Sequence, residues 1–242
     1  MPEIPSLIAM LKAGMHFGHQ TSKWHPKMRP YIYTSRQGIH IMDLEKTAVE
    51  LNRALIFIRE VVASGGQVLF TSLKKQADEV VREAADSIGM PYIVERWLGG
   101  VFTNWGVISK LIQRFEKLEA EKSRGAWSQY TKKEQIELEK DLDRLRLTVG
   151  GIRTMTKLPE VVFLIGVREG KNAIREARKV NVPVVGITDT DTNPGMIQYV
   201  IPGNDDALRS IKLVVDLVTA AIKEGQLQAS SRAAEAAAKP NP

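Results

Sequence analysis

Residues 161–188 read VVFLIGVREGKNAIREARKVNVPVVGIT, and this stretch decides the fold class. Two short apolar runs, Val161–Gly166 and Pro183–Thr188, flank a segment whose apolar residues have helical spacing, Lys171–Val180. A strand that is apolar at nearly every position is buried on both faces, which is typical of a parallel sheet. The stretch therefore predicts an α/β domain in which helices cover both faces of a parallel sheet.

Similar runs elsewhere in the chain extend the predicted sheet to about five strands. The other strands are expected at Gln67–Ser72, Pro91–Trp97 and Tyr199–Ile201. One helix should begin after Asp43, a residue type that favours helix N-termini, and another should cover Lys74–Ile88. A small β-hairpin is expected where Tyr31–Tyr33 and Ile39–Ile41 flank a Ser-Arg-Gln-Gly turn.

A segment between the second and third strands follows a different pattern. Its apolar residues recur with heptad spacing in two charged stretches, which predicts two helices that pack along a seam. The seam residues are Ile108, Leu111, Phe115 and Leu118 in the first stretch and Leu138, Leu142, Leu145 and Val149 in the second. We interpret the segment as an inserted antiparallel coiled-coil hairpin that projects from the domain; the alternative is a pair of ordinary surface helices.

These patterns divide the chain into four parts. Residues 1–42 form a basic N-terminal segment with a small hairpin, 43–104 and 150–225 form the α/β domain, and 105–149 form the inserted hairpin. Residues 226–242 consist mainly of Ala, Ser, Gln and Pro, with no large apolar residue after Leu227. This composition predicts a disordered tail.

The composition excludes several classes of chemistry. The chain has 242 residues, a net charge of +6 and no cysteine, which excludes disulfides, thiolate metal sites and cysteine nucleophiles. No apolar run approaches the roughly 20 residues that span a bilayer, and the N-terminus lacks the pattern of a signal peptide. We therefore expect a cytoplasmic protein with no membrane partner.

The segment Ile4–Met42 has no Asp or Glu and contains all four histidines of the chain. Its cations are interleaved with aromatic side chains that can stack on bases or sugars. The candidate contact residues are Lys23, Trp24, Lys27, Arg29 and Arg36. A basic stretch without carboxylates favours nucleic acid as the partner, and the alternative is a basic arm on the surface.

Ligands of α/β sheets usually bind at the carboxyl ends of the strands, so polar residues that follow strands are the next candidates. Lys74 and Lys75 follow the first strand and are candidate contact residues, although the turn has neither a GxxxxGK[ST] nor a GxGxxG motif. The alternative is that they are basic residues at the start of a helix. Arg96, Asn104 and Trp105 surround Gly99-Gly100 after the second strand. Residues of these types contact RNA or pack in the core, and both readings stay open.

Carboxylates are expected to meet at the same edge of the sheet. Asp189 follows the fourth strand and Asp205-Asp206 the fifth, and with His16 or His19 nearby they could bind zinc or magnesium. The alternative is that these carboxylates cap helices. A catalytic role finds little support, because the chain has no GxSxG motif and no cysteine. An α/β nucleotide- or phosphate-binding protein or enzyme that uses the turns at 71–75 and 189–193 is the rival hypothesis.

Several long strings closely resemble the bacterial type of small-subunit ribosomal protein two, in order from about Ile4 to Gly225. They are HFGHQTSKWHPKMRPYIY at 16–33, IHIMDLEKT at 39–47, RWLGGVFTNW at 96–105, TVGGIRTM at 148–155, LPEVVFLIG at 158–166 and VIPGNDDALRSIKL at 200–213. One departure is minor: Val149-Gly150-Gly151 stands where the family usually has Leu-Gly-Gly.

The resemblance implies a Rossmann-like three-layer α/β/α domain with a coiled-coil hairpin and no catalytic activity, required cofactor or small-molecule substrate. It implies a ribosome-associated protein that binds 16S ribosomal RNA between the head and body of the 30S subunit. Expected partners are neighbouring 30S proteins, including the mRNA-binding ribosomal protein one. The matching strings mark Lys23, Trp24, Lys27, Arg29, Arg36, Arg96 and Thr103-Asn104-Trp105 as contact or architectural positions. The resemblance also implies a zinc ion near the His and Asp cluster, as in some family members, which favours a metal at His19, Asp189 and Asp205.

Overall fold

The computed structural model describes residues 3–238 of the chain. It contains a parallel sheet with helices on both faces and a smaller antiparallel sheet. In chain order the elements are α1 (Leu7–Lys12), β1 (Phe17–Gln20), β2 (Ile32–Arg36), β3 (Ile39–Met42), α2 (Leu44–Ala63), β4 (Val68–Ser72), α3 (Asp78–Ser87), β5 (Tyr92–Ile93), α4 (Trp105–Ser123), α5 (Lys132–Val149), β6 (Val161–Ile165), α6 (Lys171–Lys179), β7 (Val184–Thr188), β8 (Tyr199–Pro202) and α7 (Leu208–Ala238).

The central sheet has five strands in the order β5-β4-β6-β7-β8, and every neighbouring pair is parallel. Phe70 lies opposite Phe163 in the register of β4 and β6, and Gly186 lies opposite Leu164 and Val200. All residues of β4, β6 and β7 are buried, as their continuous apolar runs require. The predicted parallel α/β sheet is confirmed.

Two hydrophobic cores lie on opposite faces of this sheet. The first core packs α2, α3 and α7 against one face, and Phe70 of β4 lies in it. The second core packs α4, α5 and α6 against the other face, and the next residue of the strand, Leu69, lies there. Successive side chains of a strand point to opposite faces, so β4 contributes to both cores. The arrangement is a three-layer α/β/α fold.

The N-terminal segment forms its own antiparallel sheet in the order β1-β3-β2. The predicted hairpin is present as β2 and β3, joined by Gln37 and Gly38, whose φ angles are +52° and +77°. Positive φ at both central residues is the geometry of tight hairpin turns. The strand β1 was not predicted, because its four residues include a glycine and two polar side chains.

Two predicted elements are shorter in the structure than the sequence indicates. The strand expected at Pro91–Trp97 covers only Tyr92–Ile93, because Glu95 has a φ of +71° that no extended strand allows. The helix expected from Lys74 begins at Asp78, because Ser72 accepts a hydrogen bond from the Lys74 amide and holds residues 74–77 in a turn.

The helices α4 and α5 follow β5 and precede β6 along the chain, and they lie side by side. One face of the pair is buried in the second core. Phe115, Leu118, Leu142 and Leu145 are buried, and Arg114–Asp141 and Lys122–Glu139 ion pairs join the helices. Of the predicted seam residues, Leu111 and Leu138 are only partly buried. Supercoiling of the pair and its projection from the domain stay predictions.

The prediction of a disordered tail is wrong for residues 226–238, which continue α7 as helix to Ala238. Alanine-rich sequence extends a helix readily once it is nucleated. Two side chains also fasten this part to the domain: Gln226 Nε2 donates to Ile88 O at 2.9 Å, and Arg232 Nη1 donates to Ala63 O at 3.4 Å. The last four residues of the predicted tail lie outside the described part of the chain. Among residues 3–238, no helix combines the length and apolarity needed to cross a membrane.

Candidate functional site

The N-terminal segment covers the edge of the sheet where α/β proteins commonly bind ligands. The His19 amide donates to Thr190 Oγ1 at 2.8 Å, and the His25 amide donates to Thr190 O at 2.8 Å. The Asn204 amide donates to Met15 O at 3.1 Å. A Cβ atom at Gly18 would lie only 2.6 Å from Thr190 Cγ2, so glycine allows this close approach. The segment is therefore part of the domain and not a free arm.

This docking brings His19 into a group of carboxylates at the sheet edge. Its Nδ1 atom lies 3.0 Å from Asp189 Oδ1, and its Nε2 atom lies 3.4 Å from Asp206 Oδ2 and 3.7 Å from Asp191 Oδ2. One ligand atom from each of His19, Asp189 and Asp206 lies within 4.8 Å of the others. Arg168 forms an ion pair with Asp191 beside them. The predicted association of His19 with Asp189 is thus present.

Lys74 occupies the other side of this group. Its Nζ atom lies 2.6 Å from Asp205 Oδ1 and 2.7 Å from Asp206 Oδ1. The Asp205 side chain is only 2% exposed and faces this ammonium, and the neighbouring Asp206 is the one of the two that also has an oxygen close to His19. The close group of potential ligand atoms therefore contains Asp206 and not the predicted Asp205. Lys74 is thus engaged in ion pairs within the protein, and its contact with RNA stays a prediction.

The titration of these groups follows from their contacts. The hydrogen-bonding contact with Asp189 raises the pKa of His19 to about 9, against the effect of burial. Burial raises the pKa of Asp205 to about 7, and the ammonium of Lys74 opposes that rise. Burial lowers the pKa of Lys74, but the carboxylates of Asp205 and Asp206 outweigh it, and the net shift is upward. Lys74 is therefore held as a cation.

A cleft of about 330 Å³ opens at this edge, lined by His19, Lys74, Lys75, Arg168, Asp191 and Asp206 among others. Its carboxylates would repel the phosphates of a nucleotide, and Lys74 is already paired. An imidazole with carboxylate oxygens is instead a donor set that suits a divalent metal such as zinc. The geometry thus fits a metal better than it fits a nucleotide.

The basic N-terminal segment presents four cations to solvent: Lys23, Lys27, Arg29 and Arg36. Within the described part of the chain, none of the four has a carboxylate oxygen within 4.0 Å, unlike Arg114, Lys122 and Arg168. The Thr21 amide donates to Gly38 O at 2.8 Å, so the loop that holds Lys23 lies beside the hairpin turn that follows Arg36. Trp24 is half-buried, with its ring centroid 5.2 Å from that of His40.

The loop that contains Arg96 is organised by Glu176 of α6. Its carboxylate accepts hydrogen bonds from Trp97 Nε1 at 3.1 Å, the Gly100 amide at 2.8 Å and the Phe102 amide at 3.1 Å. These bonds lower the pKa of Glu176 although burial opposes the shift, so the side chain is a carboxylate at neutral pH. The loop is fixed by one ionised side chain.

A family model described as Ribosomal protein S2 matches residues 10–225 of the 242-residue chain. The chain belongs to the ribosomal protein S2 family. Family membership makes it a ribosome-associated structural protein of the small ribosomal subunit. This confirms the resemblance that the sequence strings indicate.

The predicted RNA-contact residues fall into three groups. Lys23, Lys27, Arg29, Arg36, Lys75, Arg96 and Asn104 are exposed, Trp24 and Trp105 are half-buried, and Lys74 is paired with acids. Trp105 packs against the second core. The exposed group can reach an external partner directly, and the half-buried tryptophans also serve the domain.

One residue, Glu176, was missed by sequence reasoning as part of a site, and Asp206 was predicted only as a member of the Asp205-Asp206 pair. The position of Asp206 relative to His19 distinguishes it from Asp205. Glu176 lies more than 70 residues from the loop it binds. Its one sequence signal is that it is the single acid among the cations of KNAIREARK.

Proposed function

We propose that this protein binds 16S ribosomal RNA between the head and body of the small subunit, in the cytoplasm and without catalytic activity. The observation that carries the proposal is the set of four exposed, unpaired cations at Lys23, Lys27, Arg29 and Arg36. Folded RNA presents phosphates and shape rather than a small ligand, so its binder needs dispersed cations on a rigid support. The small sheet fixed to the edge of the domain provides that support.

The helical pair of α4 and α5 supplies a second arm in this proposal. The N-terminal segment and the pair contact different RNA helices and fix their relative position. Incorporation of charge-reversed chains into small subunits tests the role of the N-terminal segment, because affinity for RNA depends on the number of phosphates that are neutralised. Undiminished incorporation would show that the segment is not the RNA anchor.

We propose further that the protein helps to dock ribosomal protein one. An apolar patch on the N-terminal side supports a protein partner, because Leu7, Ile8 and Leu11 of α1 and Tyr33 of β2 are 42%, 68%, 55% and 76% exposed. These side chains border a cleft of about 490 Å³ that reaches Met42. Exposed contiguous apolar side chains commonly mark protein interfaces.

Changing Ile8 and Leu11 to Asp is expected to lower the occupancy of ribosomal protein one on small subunits by about tenfold or more, because two apolar contacts are lost. The chain itself should still sediment with the subunits. Quantitative mass spectrometry of purified subunits measures both proteins. The matched control is Leu208→Asp with Leu227→Asp, which places the same charges on exposed apolar positions of α7. Equal occupancy in both variants would contradict a docking role for α1.

We propose finally that His19, Asp189 and Asp206 hold a zinc ion, with magnesium as the weaker candidate, and that the ion stiffens the sheet edge without being required for the fold. The support is the donor set: one imidazole and two carboxylates with mutually close ligand atoms. Asp189 contacts Nδ1 of His19, and Nε2 faces Asp206.

The metal proposal predicts that the full chain retains about one zinc ion per molecule after dialysis against buffer with micromolar zinc. His19→Gln and Asp206→Asn should each lower zinc affinity about tenfold or more, because three ligands become two. Mass spectrometry of the metal content and competition with a zinc indicator measure the loss. Asp216→Asn, an exposed carboxylate of α7 paired with Lys212, is the matched control. The absence of bound zinc in the unaltered chain would contradict the site.

A further inference from the structure

The helix α6 presents a cationic face that the sequence reasoning did not single out. Lys171, Arg175, Arg178 and Lys179 are all exposed, whereas Ala173, Ile174 and Ala177 are buried in the second core. At 3.6 residues per turn, the four cations fall within an arc of about 100° around the helix axis. They therefore form one continuous basic surface, here called the α6 face.

The charge of the α6 face is not neutralised within the protein. Among the described residues, Lys171, Arg175 and Lys179 have no carboxylate oxygen within 4.0 Å. The one acid of the helix, Glu176, lies at the border of the face and is engaged by the Trp97–Phe102 loop. Arg178 donates to a backbone carbonyl, Gly195 O, at 2.7 Å and keeps its charge.

The α6 face lies between two of the surfaces already described. On one border Glu176 holds the loop that carries Arg96. On the other border Arg178 reaches Gly195, which lines a shallow cleft together with Lys27 and Arg29. A Cβ atom at Gly195 would lie 3.9 Å from Lys27 Nζ, which shows how close the two elements are. The face is thus continuous with the basic N-terminal segment.

We propose that the α6 face binds the phosphodiester backbone of RNA and joins the Lys27–Arg29 cleft to the Arg96 loop as one tract. The inference rests on the proposed function, since it presupposes that the partner is ribosomal RNA. The face has no exposed large apolar side chain that a protein interface would use as an anchor. Cations that project from a rigid helix at regular spacing suit a row of phosphates, which carry charge but no sequence information.

The test uses the full chain with Lys171, Arg175 and Lys179 changed to Gln, all exposed positions where Gln keeps helix propensity. Its binding to small-subunit particles depleted of this protein is measured over a series of KCl concentrations. The control removes three exposed charges from α7 instead, by changing Arg209, Lys212 and Lys223 to Gln.

The slope of log affinity against log salt is expected to fall by about 2–3 for the α6 variant and to stay unchanged for the control. Affinity at moderate salt should fall about tenfold or more. If the unaltered chain binds with a steep salt dependence and the α6 variant has the same slope, the α6 proposal is overturned while the proposed function stands. If the unaltered chain binds without salt dependence, both fail. Loss of a neighbouring protein with an unchanged slope would show an acidic protein partner and also overturn the proposal.

A second measurement does not depend on affinity. The chain has no cysteine, so Arg175→Cys provides a single attachment point for an iron chelate that generates hydroxyl radicals. In assembled subunits this probe should cut ribosomal RNA, whereas the same probe at Arg209→Cys should cut it at least several-fold less. RNA contact at the α6 face would be contradicted if the probe at Arg175→Cys did not cut the RNA, or cut it no more than the probe at Arg209→Cys does.

Discussion

Reversing the charge of Lys23, Lys27, Arg29 and Arg36 to Glu is expected to lower incorporation into small subunits by about a hundredfold or more at physiological salt. Each change removes a cation that has no partner within the described chain and adds an anion facing RNA. Competition between tagged variant and unaltered chain for depleted particles measures the effect. The side chains are exposed, so the variant should keep its fold, which its unfolding curve checks.

A matched control separates this local effect from the change in net charge. Arg82, Arg209, Lys212 and Lys223 are exposed cations on helices of the first core, and reversing them changes the net charge by the same amount. The decrease in the logarithm of incorporation should be less than about a fifth of that of the N-terminal variant, because the control weakens only non-specific attraction. Equal losses in the two variants would mean that overall charge, and not the N-terminal segment, governs incorporation.

Changing Glu176 to Ala is expected to lower the free energy of unfolding by about 2–3 kcal/mol, because several donors lose one charged acceptor. The Gly100 and Phe102 amides and Trp97 Nε1 all donate to this carboxylate. Hydrogen exchange of the Gly100 and Phe102 amides should increase before the rest of the domain is affected. Urea unfolding and hydrogen exchange measure the two effects. Glu176→Gln, which keeps an acceptor oxygen, should lose about half as much.

The Glu176 effect should depend on pH with a defined sign. The folded-state pKa of Glu176 lies below its ordinary value of 4.5, so the carboxylate stabilises the fold above that pH. The difference between unaltered chain and Glu176→Ala should therefore be full at neutral pH and shrink as pH falls below 4.5. Glu116→Ala, an exposed carboxylate of α4, should change stability by no more than about 0.5 kcal/mol. The anchoring role would be contradicted if Glu176→Ala lowered the free energy of unfolding no more than Glu116→Ala does, or if its effect were the same at all these pH values.

The parts of the fold that depend on local pattern could be predicted from the sequence. The strands β6 and β7 were placed within a residue at each end, because a buried parallel strand is apolar throughout. The N-cap at Asp43 was predicted from its residue type, and its carboxylate accepts hydrogen bonds from the amides of Glu45 and Lys46, which are two and three residues away. Short-range rules suffice where the determining contacts are short-range.

The site was predicted only in part, because its contacts join distant segments. Pairing of His19 with Asp189 followed from the rule that strand ends share one edge. The choice between Asp205 and Asp206 depends on which carboxylate reaches His19, and the role of Glu176 depends on a loop in another part of the chain. The helical tail was missed because composition alone does not show that Gln226 and Arg232 bond to the domain.

The central claim is that this chain is held in the small subunit through electrostatic contact with ribosomal RNA. Sedimentation of the tagged full chain through sucrose gradients, at low and then at high salt, tests it most directly. We predict that the chain sediments with small subunits and that this association weakens as the salt concentration rises. Recovery of the chain only at the top of the gradient at both salt concentrations would contradict the claim.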